Sequence, residues 1–112
     1  MTEAEFLILT SLLEEPMHGY GIVQAVREMS EERVRLPVGT LYGVLDRLTA
    51  DGLVALDREE AHHGRLRRYY RVTERGAQAL AAEAARLAGH ARLASERLGR
   101  VQTRPSGEGG AA

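Results

Sequence analysis

The chain has 112 residues, 44% of them apolar, with 16 acidic and 15 basic side chains and a net charge of −1. That length suits one domain with an appendage, and with no Trp and a single Phe the core must be mostly Leu, Val and Ala. With no Cys there is no disulfide framework and no thiolate zinc site.

The start, Met1-Thr2-Glu3-Ala4-Glu5, lacks the basic flank of a signal peptide. The apolar run over residues 6–13 is far too short to span a bilayer. The expectation is a cytoplasmic protein with no membrane partner. Its charge is uneven. Residues 1–60 hold 12 acids against 5 Arg, and residues 61–112 hold 4 acids against 10 Arg. Every basic residue is Arg, a usage that a GC-rich genome produces as readily as a function does. More telling is residues 65–75, where Arg65, Arg67, Arg68, Arg71 and Arg75 face Glu74 alone. A local basic strip on a neutral protein is the electrostatic footprint of a polyanion site.

Thr2 and Glu5 have the spacing of a capping box, which predicts a first helix running to Glu14 or Glu15 before Pro16. Its broad apolar face, Phe6, Leu7, Ile8, Leu9, Leu12 and Leu13, places it at the centre of the core. Met17-His18-Gly19 reads as a connection. Ile22, Val23, Val26 and Met29 at helical spacing predict a second helix over residues 20–29.

In the third helix Leu41, Val44, Leu45 and Leu48 line one face. Pro37 suits its first turn and Gly52 its end. Thr40, Tyr42, Gly43, Asp46 and Arg47 fall on the other face, polar and aromatic but not densely charged. Such a face is either solvated surface or a reading head, and Tyr42 is either part of that head or an edge of the core.

After Gly52 the pattern changes. Residues 53–59 alternate in part and residues 66–72 are β-prone, with Ala61-His62-His63-Gly64 as turn material between them. They make a hairpin with an Arg-rich tip. Tyr69 and Tyr70 alternate along its second strand, one for the core and one for the surface. His62 and His63 beside Glu59 and Glu60 carry donors that suit zinc or nickel. Neighbours on an extended chain point to opposite faces, so a solvated turn is preferred and no metal or other cofactor is expected.

Thr73 then caps the last helix. Ala77, Leu80, Ala84, Leu87, Ala91, Ala94, Leu98 and Val101 follow at alternating spacings of 3 and 4, an a/d seam of more than three heptads. A helix of roughly 40 Å cannot bury that seam on a small globule. Its first two turns can pack on the chain itself. Leu80, Ala84, Leu87, Ala91, Ala94 and Leu98 are the expected dimer interface, and from Leu87 onward a partner helix is needed. Residues 104–112 have nothing to bury and are expected to be disordered.

Three short helices, a hairpin and a long helix in this order make a winged helix-turn-helix. The fold class expected is mainly α with a small β-hairpin: a DNA-binding domain over 1–72, a dimerisation helix over 73–103 and a tail over 104–112. At this point the chain resembles the PadR family of bacterial transcriptional regulators. The stretches that carry the resemblance are His18-Gly19-Tyr20-Gly21-Ile22, Gly39-Thr40-Leu41-Tyr42, Leu45-Asp46-Arg47-Leu48, Asp51-Gly52-Leu53-Val54 and the run from Gly64 to Gly76. The single-helix tail is similar to the family's shorter members. Two departures stand out. Gly43 occupies a position that is often Pro, and Pro37-Val38 stands where Ser-Pro is common. A Gly inside a helix costs about 1 kcal/mol against Ala.

The resemblance and the physics imply one mechanism. The third helix enters the major groove with its N-terminal residues toward base edges. Tyr42 and Thr40 offer hydrogen bonds and a methyl contact, and Arg47 a phosphate contact. Arg65 near the hairpin tip is placed for the minor groove, with Arg67 and Arg68 on backbone. The DNA-contacting set is Gly39, Thr40, Tyr42, Gly43, Arg47, Gly64, Arg65, Arg67 and Arg68. The expected function is a sequence-specific regulator, by family resemblance a repressor, that binds an inverted-repeat operator in double-stranded DNA as a homodimer. A small-molecule effector of open identity is a further partner, though the lack of Trp argues against the Trp-stacked pocket of some members. The alternative is a winged-helix protein–protein module without specific DNA binding. An enzyme fails on inventory: there is no Cys and no Gly-rich loop between strand and helix, and nothing gathers Ser11, His18 and Asp46.

Overall fold

The computed structural model describes residues 1–102. The expected disordered tail and the last residue of the expected helix lie outside the described residues. Four helices and three strands follow in the order α1 (Glu3–Ser11), β1 (Met17–His18), α2 (Gly19–Met29), α3 (Val38–Ala50), β2 (Val54–His62), β3 (Arg65–Val72) and α4 (Glu74–Gln102). The strands form one antiparallel sheet with β3 between β1 and β2.

The capping box of α1 is complete. Thr2 Oγ1 accepts from the Glu5 N–H at 3.1 Å, and Glu5 Oε1 accepts from the Thr2 N–H at 2.8 Å. The bond from the Thr2 backbone holds the Glu5 carboxyl below the usual carboxylate range. The helix ends at Ser11, earlier than Glu14. Thr10 and Ser11 turn their hydroxyls back onto the Phe6 and Ile8 carbonyls, and the Leu12 and Leu13 N–H groups bond three residues back. Hydroxyls that compete for the backbone weaken a helix end, and the shorter bonds tighten its last turn.

Met17 and His18 are a strand where a connection was expected. They pair with Tyr70 and Tyr69 of β3, so tertiary pairing makes this short element. The hairpin turn is also tighter than the sequence suggests. Ala61 and His62 stay in β2, paired with Leu66 and Arg65. Only His63 and Gly64 turn, with φ of 48° and 75°. Two successive positive φ values are what a two-residue type I′ hairpin needs, and Gly64 meets that need without strain.

Ile8 and Leu9 of α1 and Leu12 just past its end meet Ile22 and Val26 of α2, Leu41, Val44, Leu45 and Leu48 of α3, Val54 of β2 and Tyr70 of β3. Leu80 of α4 completes this core. Of the two tyrosines, Tyr70 is the buried one. The compact unit runs through Ala81, and a second begins at Ala82. The division falls inside α4, beyond the change of element at residue 73, because the first turns of that helix bury Gly76 and Leu80. No helix among the described residues is long and apolar enough to cross a membrane.

Candidate nucleic-acid interface

The four buried residues of α3 fix which way its other side points. Gly39, Thr40, Tyr42, Gly43, Asp46 and Arg47 are all exposed. No atom would lie within 4 Å of a Cβ built at Gly39 or Gly43, so this stretch of backbone is open to an incoming surface. Tyr42 combines its two readings. It is 40% exposed, yet its hydroxyl sits 2.7 Å from where a Gly19 Cβ would stand. The Tyr42 ring thus packs against the start of α2, where a side chain at Gly19 would push it outward.

β2 and β3 form the wing. On one face Tyr69 is covered by the Arg58 guanidinium, 4.1 Å from its ring centre, and by the His18 ring at 5.4 Å. Burial holds His18 below the usual histidine range, with the charges of Arg67 and His62 acting the same way. On the other face Tyr70 enters the core, and burial raises its phenol above the ordinary value.

The basic strip is partly answered by its own hairpin. Arg68 lies 3.7 Å from Glu59 across the strands, and Arg71 lies 3.9 Å from Asp57. Arg58 meets Asp57 at 2.9 Å and Glu60 at 2.6 Å. Exposed pairs like these are screened by solvent and hold their side chains only weakly. Arg47, Arg65 and Arg67 form no ion pair among the described residues. His62 and His63 stack edge to face at the tip, and no three His, Cys, Asp or Glu side chains gather among the described residues.

Between α3 and the wing lies an open groove of about 460 Å³. It is lined by His18, Tyr20, Tyr42, Leu66, Arg67 and Arg68, with Gly19 at its base. The structure therefore brings Tyr42 together with Arg67 and Arg68. Arg65 and Gly64 stand apart at the wing tip, and Thr40 and Arg47 on the outer side of α3 are not part of this groove. Sequence reasoning missed Tyr20 and Leu66, exposed at 61% and 64%. Tyr20 starts a helix and belongs to a stretch that carries the family resemblance, but neither gives it a contact. An aromatic between two glycines at a helix start was the signal available.

The expected dimer seam divides. Leu80 is 6% exposed within the core of its own chain, which corrects its placement toward a partner. Ala84, Leu87, Ala91, Ala94 and Leu98 are exposed. Leu93, off the seam, is also 46% exposed.

A helical core with an antiparallel wing and an exposed third helix defines a winged helix-turn-helix protein. The chain belongs to the transcriptional regulator PadR-like family, whose model matches residues 8–82. The family so described is one of transcriptional regulators. It is 40% identical over 73 residues to the transcriptional regulator Rv3488 of Mycobacterium tuberculosis, a match covering 65% of this chain and 64% of that one. Across the curated relatives it matches, the chain spans between 14% and 64% of their length. A PadR family transcription regulator from Clostridium difficile R20291 superimposes with a TM-score of 0.74 at 26% identity, covering 87% of this chain and 99% of that one. Bacillus subtilis PadR, crystallised in complex with operator DNA, shares the fold with a TM-score of 0.62 at 23% identity, covering 70% of this chain and 45% of that one.

Proposed function

We propose that the protein binds duplex DNA as a homodimer and represses transcription from an inverted-repeat operator. The observation that carries this reading is the exposed α3 face with Tyr42 set beside the wing arginines. Thr40 and Tyr42, with Gly39 and Gly43 giving close access, read the major groove, and Arg47 meets a phosphate. Arg65 beside Gly64 reaches the minor groove, and Arg67 and Arg68 hold phosphates. The operator complex of Bacillus subtilis PadR supports the DNA partner by kinship. The exposed Leu87 and Leu98 support the dimer, because a helix surface of this kind is stabilised by a partner helix. A small-molecule effector acts only if it binds one dimer arrangement better than another.

Gel retardation with random duplex at low salt, repeated at rising salt, tests the reading. A shift that weakens steeply with salt is expected, since each phosphate contact adds about 0.9 to the slope. No shift at low salt would leave a protein–protein module in its place.

A further inference from the structure

We infer that the groove between α3 and the wing seats one phosphodiester of the DNA backbone, with the Tyr20 hydroxyl as a donor to it. This rests on the DNA-binding reading and adds a residue and a site to it. Four surface concavities illustrate the contrast. One is lined by Glu28 and Glu32, one by Glu3 and Glu31, and one by Glu14. The groove at Tyr20 has no carboxylate in its lining. In a chain with 16 acids, a concavity walled by two phenols, two guanidinium groups and an imidazole is selective for a ligand with acceptors and negative charge.

The donors are free to act. Neither the Tyr20 nor the Tyr42 hydroxyl has a hydrogen-bond partner among the described residues, and Arg67 has no ion pair there. Arg68 faces Glu59 at 3.7 Å and also interacts with the Tyr70 phenol. The Tyr42 ring lies against Gly19 and forms one wall of the groove. Leu66, apolar and exposed at the outer end, suits the sugar that follows a phosphate better than a free ion's hydration shell. A phosphodiester presents two anionic oxygens to such a set. Charge-assisted bonds from Arg and Tyr to them are short and strong.

The test uses the full chain, random and operator duplexes, and Tyr20→Phe, an exposed change that leaves the fold intact by circular dichroism. Affinity for both duplexes should fall about tenfold, the scale of a hydrogen bond to a charged group. The salt slope should stay as it is, because no charge is lost. Arg67→Gln should weaken binding and lower the slope by about 0.9. Neutral methylphosphonates are then placed one at a time along the operator. One position per half-site should weaken the wild type and weaken Tyr20→Phe no further, the non-additivity of groups that touch. Wild-type affinity in Tyr20→Phe would overturn the clamp while the wild type's own salt-dependent shift kept the DNA reading. A wild type that shifts no duplex overturns both. If millimolar inorganic phosphate raises the melting temperature of the wild type but not of Arg67→Gln, and methylphosphonates have no effect, the groove takes a free anion and the backbone assignment fails.

Discussion

The Thr73 hydroxyl donates to the Gly52 carbonyl oxygen at 2.6 Å. The Thr73 hydroxyl oxygen in turn accepts from the Gly76 N–H at 3.0 Å, so one side chain caps α4 and ties it to the end of α3. The Thr73 N–H adds a bond to the Leu53 carbonyl at 3.0 Å. Gly52 reaches this geometry with φ of 77°, where a side chain would be strained. The end of α3 and the start of α4 are thus joined through a single residue between them. Thr73→Val, which keeps the shape and removes both bonds, should lower stability by about 1–2 kcal/mol in urea. An unchanged midpoint would mean that neither bond contributes.

Two glycines make opposite predictions. A Cβ on Gly76 would overlap the Leu53 carbonyl oxygen and crowd Val72, so Gly76→Ala should cost several kcal/mol or abolish folding, since the obstacle is backbone. Gly43 sits in mid-helix with open space around its absent Cβ. Gly43→Ala should raise stability by up to about 1 kcal/mol. If α3 lies close against DNA, the same change should weaken DNA binding. Calorimetry and gel retardation on one preparation separate the two effects.

What was readable in the chain was local. Leu41, Val44, Leu45 and Leu48 announce their helix because the spacing that forms it also buries it. Gly52 announces where that helix ends, and Thr73 where α4 begins, through local backbone chemistry. The β1 strand was hidden, since Met17 and His18 carry no pattern and become a strand only when β3 offers an edge. The pairing of Arg68 with Glu59 depends on a register that shifts between Leu56 and Arg58, so the strip looked more basic than it is. Leu80 and Leu87 obey one heptad, and nothing in that spacing marks where the globule ends. The core takes Leu80 and leaves Leu87 at 41% exposure.

That difference is testable. Leu80→Ala should destabilise the single chain by about 2–5 kcal/mol through a cavity. Leu87→Glu should leave the chain's fold intact and act on association alone. Two exposed leucines lost per dimer, at about 1.5–3 kcal/mol each, amount to a dissociation constant raised at least about a hundredfold. Sedimentation of the wild type at micromolar concentration should show a dimer and of Leu87→Glu a monomer. A monomeric wild type would remove the proposed dimer.

His18 gives stability a pH dependence of known sign. Burial, then the charges of Arg67 and His62, lower its pKa from 6.5. The folded chain therefore binds fewer protons than the unfolded one just below that value, and stability rises with pH there. The contribution is complete above the unfolded-state pKa and is lost as pH falls through the folded one. His18→Gln should flatten the urea midpoint against pH below about 6.5. An equal slope in both proteins would assign the dependence to other groups.

The operator's form follows from symmetry. A homodimer presents two copies of α3 related by its axis, and both meet equivalent bases only on DNA with a matching dyad. Half-site centres should lie about 10 bp apart, or two turns apart if the paired α4 helices spread the heads. Tyr42 and the wing should then fail differently. Tyr42 lies on the exposed side of α3, so if that side meets the bases Tyr42→Ala should lower operator affinity about tenfold more than random-duplex affinity, the scale of one base contact. Arg65 and Arg67 have no acidic partner among the described residues, so replacing both by Gln should weaken the two duplexes alike and reduce the salt slope by up to about 0.9 per lost phosphate. Footprinting of the wild type should protect two half-sites about a dyad. Protection of a single half-site, or a Tyr42→Ala protein that discriminates as well as the wild type, would show that α3 is not the reader.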